Sequence, residues 1–482
     1  MSHTGAVSNP RERPGTPGNA ETGNGGHVPQ PIYSSSRNAA TVTGVFASEG
    51  RQRVVIAVAG ATRFMAGILM GTGMAVYAGD AGGSAFAVSM VLTAYFVGMT
   101  VFAPVWGAVA DVTGRRRAVM VATGTLATLA VLPLVAVGEV GPPVRLPGLT
   151  VDGVWVLIGL RGLYAVFAVG FVPVMLSVVS ARGGADGRGR SLGFFNSARA
   201  VGFSGGQVAV GTLLGLLAPS SLYLLIAAVS LLSTVAAAAV VDPTPSPAGS
   251  PGIGDVASEV KRRLLPAVGD RAHLRTNGLR WLYVALALRN MTVLGVMSLM
   301  PVYLTGPVGV STLLMGVLLA INPTAQVAFM YLFGRVADRV GRKPPVVAGI
   351  AGSGAFALVA AAVPAPGGTP VQLLVAGAAF VVIAAAFSAM TTGALAFIGD
   401  VAPPDRESEL MGLRSTAKGV GGILGPPVIG MLATATSMQV AFAAGSVLAL
   451  AAAGLAAVGL TEPEDAATGR VDPPADAELA TD

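Results

Sequence analysis

Twelve strongly apolar windows recur along the chain, and no other feature restricts its fold as tightly. They cover roughly 54–77, 85–107, 117–137, 152–178, 191–217, 221–241, 281–304, 311–333, 345–363, 371–397, 409–433 and 438–460. A helix rises about 1.5 Å per residue, so about 20 residues cross a hydrocarbon core about 30 Å thick. Lipid offers no partner to backbone N–H and C=O groups, so spanning segments of this length must be helical. Composition agrees: 53% of the 482 residues are hydrophobic and 11% charged, where soluble domains carry about 25% charged residues. The sequence therefore predicts an all-α polytopic membrane protein with the lipid bilayer as a partner.

The longest interior gap, 242–280, divides the windows into six and six. The predicted organisation is a tail over 1–53, a first bundle over 54–241, a linker over 242–280, a second bundle over 281–460 and an acidic tail over 461–482. Residues 1–53 lack a hydrophobic period and read as disordered, and no secretory signal peptide is read before Val54. The acidic tail, from Glu462 to Asp482, reads as a solvated disordered end. Loops on the side of the tails hold seventeen Lys and Arg, including Arg115–Arg117, Lys261–Arg263 and Arg342-Lys343, against Arg145 alone on the other side. That asymmetry predicts two cytoplasmic termini in a cell membrane. The run Lys261-Arg262-Arg263 reads as topogenic and suited to anionic lipid, and no nucleic-acid partner is expected. There is no cysteine, and His3, His27 and His273 all lie outside the apolar windows, so no metal site or cofactor is expected.

The second half repeats the first. Arg63, Met65, Thr72, Met74 and Val76-Tyr77 fall on Arg289, Met291, Ser298, Met300 and Val302-Tyr303. The stretch 107–116 falls on 334–343. Gly193, Arg199, Gly202, Gly206 and Gly211 fall on Gly412, Lys418, Gly421, Gly425 and Gly430. Offsets stay between 219 and 227 throughout. Repeats of this kind build a central site between two halves that move against each other.

Over roughly 54–460 the chain resembles the major facilitator superfamily. The loop signature Gly-x-x-x-Asp-x-x-Gly-Arg-Arg/Lys is carried by Gly107, Asp111, Gly114, Arg115 and Arg116, and again by Gly334, Asp338, Gly341, Arg342 and Lys343. The resemblance implies two pseudo-symmetric six-helix bundles and a cytoplasmic latch that joins them when the carrier faces outward. The first copy has Val112 where the second has the basic Arg339, which predicts a weaker first latch. Arg161 resembles the family's intramembrane arginine associated with proton transfer, although Tyr164 and Ala165 replace its customary neighbours; bracing of its own helix is the alternative reading. Gly202 and Gly206 on span five resemble the glycine stretch of efflux antiporters, but Gln207 stands in place of proline, and the Gly-Pro pair occurs at Gly425-Pro426 on span eleven. A close-packing role is expected for these glycines and for Gly421.

Buried charge in a bilayer is a functional candidate because it is costly to insert. The set here is one-sided: Arg63, Arg161, Arg199, Arg289, Arg414 and Lys418 lie within the spans, with no carboxylate near mid-membrane. Arg63 and Arg289 are repeat mates near the bilayer centre, and one reading makes them a bidentate clamp for an anionic cargo. The other has each bracing its own helices or snorkelling. Tyr164, Asn290, Asn322 and Gln326 are further candidates for the cargo cavity, and Asn322-Pro323 predicts a local break in span eight. No Walker A pattern is present. The expected function is secondary active transport of a small organic solute, as an efflux-type or metabolite carrier coupled to a proton or solute gradient. The alternatives are an organic-anion or organophosphate exchanger using Arg63 and Arg289 and, more remotely, a transporter-like receptor. An enzyme is not expected. Each chain should hold its own pathway and function as a monomer.

Overall fold

The apolar windows become helices, each stopped where the sequence supplies a cap. Ser84, Ser311 and Ser437 turn their hydroxyls onto backbone N–H groups of the first turns of α2 (Ala85–Thr113), α9 (Thr312–Val340) and α13 (Met438–Gly459). Asp152 caps α4 (Gly153–Ala168) in the same way, at 2.8 Å. Gly114 ends α2 in the left-handed region, at φ 64°, a conformation a side chain would resist. The computed structural model describes residues 35–137, 143–146, 148–244, 252–264, 272–365, 367–403 and 406–462. The chain separates into Met1–Gly50 and Arg51–Asp482, and the second unit holds the helical body.

The remaining helices are α1 (Ser35–Asp80), α3 (Arg116–Val137), α5 (Phe171–Leu214), α6 (Pro219–Ala238), α7 (Ile253–Leu264), α8 (Leu279–Thr305), α10 (Lys343–Ala362), α11 (Thr369–Val401) and α12 (Glu407–Ala435). α5 holds the end of span four and all of span five, which part at Gly184, where φ is 62°. Between α3 and α4 a short hairpin pairs β1 (Val144–Leu146) with β2 (Leu149–Val151). Among the described residues, ten helices are long and apolar enough to cross a membrane. The other two spans, 185–214 and Glu407–Ala435, are helical but carry glycines and charged residues, which lower their hydropathy. With them, the two six-helix bundles are complete.

Two expectations are corrected. α1 begins at Ser35, so residues 35–53 belong to a helix and not to a disordered tail, and residues 1–34 lie outside the described ones. Span eight does not break at Asn322-Pro323: α9 runs through it, proline removing only its own ladder donor. Within the linker, α7 occupies 253–264 and packs on α2.

The bundles meet along two seams, α2 against α12 and α5 against α9. Gly211 and Gly316 bring α5 and α9 so close that a Cβ on either would strike the other's backbone. Gly430 fits against Ser89, Gly422 against Phe96 and Gly419 against Thr100. The Phe86 N–H donates to Thr434 at 3.0 Å, and Thr324 to Ser204 at 3.0 Å. These contacts run from the end remote from the two signature loops to about mid-helix, where Gly419 meets Thr100. The apolar core divides along the same direction. In the remote half it is a single body drawing on both bundles, from Leu69, Met74 and Val131 to Leu299, Phe380 and Phe442. In the loop half it is two bodies, one around Met120, Phe171 and Phe195 of the first bundle and one around Leu286, Phe397 and Leu410 of the second.

Candidate functional site: the inter-bundle cleft and its latch

On the loop side the buried apolar residues form two separate bodies, one in each bundle. Six cations lie on the helices around this division, and the structure sorts them into three kinds.

Arg63 on α1 and Arg289 on α8 turn into their own bundles. Arg63 is buried, and its Nη1 donates to Ser230 Oγ of α6 at 3.3 Å; the same hydroxyl accepts from Thr128 of α3 at 3.1 Å. Arg289 donates through Nε to Ser353 Oγ of α10 at 2.7 Å and through Nη1 to Asn290 Oδ1 at 3.1 Å. Each is thus held inside one half, while its Nη2 is buried without a hydrogen-bond partner among the described residues. Asn290, 8% exposed, is part of that brace and lies against Gly421. Asn322 and Gln326 satisfy each other instead, Nε2 to Oδ1 at 2.8 Å.

Arg161 on α4 is of a second kind. It is 3% exposed, and its guanidinium carbon lies 5.1 Å from the Tyr95 ring centroid and 5.5 Å from that of Tyr164. Tyr164 is also 5.6 Å from Arg63. Among the described residues, Arg161 Nε and Nη1 and the Tyr164 hydroxyl are buried without a hydrogen-bond partner. Aromatic faces stabilise the charge but leave those N–H donors available.

Arg199 on α5, with Arg414 and Lys418 on α12, forms the third kind. Lys418 lies within electrostatic range of Arg199 in the other bundle and of Arg414 and Arg289 in its own. It is exposed, although Ala417 and Gly419 on either side of it are buried. Arg199 and Arg414 are half-buried, and Arg199 rests on the rings of Phe64 and Phe203 at 5.6 and 6.0 Å. Among the described residues none of the three makes a hydrogen bond or an ion pair. Lys418 and Arg199 are repeat mates, one on each bundle.

The signature loops carry the charge networks expected of them, with partners the sequence did not reveal. Asp111 accepts from Arg116 at 3.1 Å on Oδ1 and from Arg263 of α7 at 2.9 Å on Oδ2. Arg263 also donates to Glu259 at 2.7 Å, and Arg263 first, then Arg262, hold the Glu259 carboxyl below its ordinary 4.5. The first copy, which has Val112 where the second has Arg339, thus gains a basic partner from the linker. Gly107 makes room for the Arg263 guanidinium. In the second copy Arg342 bridges Asp338 at 2.7 Å and Asp400 at 2.9 Å, while Arg339 is exposed and makes no ion pair among the described residues. Gly334 has open space where a Cβ would stand. Arg115 is exposed, and its backbone N–H donates to the Thr113 hydroxyl oxygen at 3.3 Å.

Glu462, the last described residue of the acidic tail, is held by the protein, and residues 463–482, on which the rest of that reading falls, lie outside the described residues. The Glu462 carboxylate accepts from the backbone N–H of Arg342 and, at 3.0 Å, of Lys343, capping α10, with Gly341 beside it at φ 89°. Asp242 stands 3.8 Å from Arg116 at the corresponding start of α3. The two carboxylates lie 220 residues apart, directly after spans six and twelve. That offset matches the rest of the repeat and was the available signal for both. The glycines perform as expected: a Cβ at Gly202 would strike Ala61, one at Gly206 would meet Ile68, and those at Gly421 and Gly425 would strike Asn290 and Met291. Pro426 lies inside α12 without ending it.

Sequence comparison agrees with this architecture. Residues 54–324 and 303–478 match the profile of the Major Facilitator Superfamily. A curated relative, the class E tetracycline resistance protein of Escherichia coli, is 34% identical over 128 residues, which is 26% of this chain and 29% of that protein. The chain therefore spans less than a third of that relative's length in the match. Among solved structures, the nucleoside transporter NupG superposes with a TM-score of 0.65 at 13% identity, over 85% of this chain and 98% of that one. A bacterial homologue of the human lysosomal transporter Spinster, inward-facing and occupied, gives 0.66 at 13% identity over 84% and 96%. The human organic anion transporter MFSD10 gives 0.54 at 17% over 85% and 99%. At these identities the likeness is one of fold alone. With its family profile matched along nearly the whole helical body, this multi-pass membrane protein belongs to the Major Facilitator Superfamily of transporters.

Proposed function

We propose that the chain is a secondary active transporter that exports a small organic solute in exchange for protons by alternating access. The observation that carries this reading is the partition of the apolar core, single in one half and double in the other. Such a partition describes one end state of a rocking pair, with the cleft open on the loop side. The seventeen basic loop residues on that side support its being cytoplasmic. Arg161 is the proton-coupling candidate: its unpartnered donors and the adjacent Tyr164 hydroxyl can hold a water whose proton affinity depends on cleft occupancy. The tetracycline resistance relative supports export, and its short match limits that support to the general direction of transport.

The test uses everted membrane vesicles from cells making the full chain, acidified inside and followed with a pH-sensitive dye. Tetracycline, benzoate and uridine are added in turn. At least one should release protons in chain-containing vesicles and not in controls, and Arg161→Gln should abolish the release. Intact gradients unaffected by every solute, with the chain present and folded, would overturn proton-coupled export.

A further inference from the structure

We infer that Arg63 and Arg161, joined by the Tyr164 ring, hold an oxyanion group of the transported solute, a carboxylate or phosphate, in a recess beside Gly67 and Gly71. The inference rests on the transport reading above and names the class of solute.

The two guanidiniums share one aromatic ring. Their carbons lie 5.6 and 5.5 Å from the Tyr164 centroid, so their separation is at most the sum of those distances. Arg63, Arg161 and Tyr164 are 5, 3 and 1% exposed. Arg63 Nη2, Arg161 Nε and Nη1 and the Tyr164 hydroxyl are buried without a hydrogen-bond partner, although buried polar groups are ordinarily paired. Neither arginine makes an ion pair among the described residues. The carboxylates of the nearby helices stand at their ends: Asp80 closes α1, Asp111 lies in the last turn of α2, and Asp152 caps α4. Two confined positive charges repel each other, and an unpaired buried charge is costly. An anion between them relieves both.

Space for that anion runs along α1. Arg63, Gly67 and Gly71 follow at intervals of four, on one face of the helix. A Cβ at Gly67 would meet no atom within 4 Å, and one at Gly71 would meet Arg161 Nη2 alone, at 3.5 Å. The two glycines thus leave a recess with an arginine at either end, and Arg161 is aimed into it. Ala66 and Met70, which flank Gly67 on α1, are fully buried, so this face looks into protein and not into lipid. Both glycines are half-buried. The planar fork of Arg161 matches paired oxygens on a carboxylate or phosphate. The Tyr95 ring, 5.1 Å from the same guanidinium carbon, steadies that fork without occupying its donors.

Thermal unfolding of the purified full chain in detergent tests this, at an ionic strength held constant with sodium chloride. Benzoate and phenyl phosphate are compared with uncharged benzamide. Both anions should raise Tm with concentration and benzamide should not. Arg63→Gln and Gly67→Val should each raise the half-effect concentration at least tenfold. Gly67→Val fills open space and removes a helical glycine, so its unliganded Tm should not fall, and it keeps the test readable where Arg63→Gln folds poorly. The control is Gly159→Val, exposed between Trp155 and Leu163 on the outer face of α4 with no atom within 4 Å of a Cβ; it should leave the half-effect concentration unchanged. Anion stabilisation that survives Gly67→Val overturns the recess, as does a lowered Tm in that variant without ligand. Equal loss in Gly159→Val, or no anion effect above the chloride background, overturns the solute claim. Binding is read here without flux and with Arg161 intact, so failure of proton-coupled export leaves this result standing, and the reverse also holds.

Discussion

A guanidinium enclosed by helices is held by whichever oxygens lie within reach, and at Arg289 the Ser353 hydroxyl is the closest, at 2.7 Å. Ser353→Ala would leave a buried charged donor unsatisfied, which costs about 1.5–3 kcal/mol. The matching change at Arg63, Ser230→Ala, removes a longer contact of 3.3 Å and should cost less, so the two Tm losses should differ in that order. Equal losses, or none, would mean that water replaces the hydroxyls and that the arginines are not braced. The depth of Arg63 and Arg289 was legible in the sequence, because a fixed rise per residue sets it. Their direction was not. Which way a side chain points round a helix depends on which neighbours surround it, and Ser230 and Ser353 lie 167 and 64 residues away. The one-sided charge was legible for the opposite reason, since counting it requires no geometry.

At the scale of elements, hydropathy found the spans because lipid imposes their length. It read spans five and eleven least clearly, since glycines and charged residues there lower their hydropathy. It missed α7, whose 12 residues are too few and too polar to register as a span. Arg263→Gln should free α7 from Asp111 and expose Lys261 and Arg262 to trypsin, speeding cleavage severalfold without lowering Tm by more than a few degrees. An unchanged rate would show that the pair does not hold the helix. Acid should act the same way. The Glu259 carboxyl is held below its ordinary 4.5 by Arg263 and Arg262, so its stabilisation is full above that pH and fades as pH falls through the lowered value. Cleavage by an acid-tolerant protease should therefore rise below pH 4.5 in the native chain and rise less in Glu259→Gln. Glu462→Gln weakens the cap on α10 and should cost about 0.5–2 kcal/mol, a loss that Glu464→Gln, farther along the tail, should not share.

The partition of the core belongs to the whole molecule, and no sequence pattern announced it, because it describes one state of a pair of bodies and not a property of either. The sequence reports that the halves are repeats; it does not report which ends touch. Gly211 and Gly316 make the touching end possible, since a Cβ on Gly316 would strike the Gln207 carbonyl and come within 2.9 Å of Gly211 Cα. A side chain at 316 therefore opposes this state and leaves a state with the remote ends apart unopposed. The absence of native cysteine permits a direct reading. In right-side-out and everted vesicles, a Lys418→Cys thiol should react with an impermeant maleimide from the loop side. Adding Gly316→Leu should slow that reaction at least tenfold, which corresponds to a population shift of about 1.4 kcal/mol, and should speed labelling from the other side. Slower labelling from one side without a gain on the other would show that the substitution damages the seam without moving the halves. In that case the two separate cores on the loop side would be a fixed feature of the fold, and alternating access about this seam would be wrong.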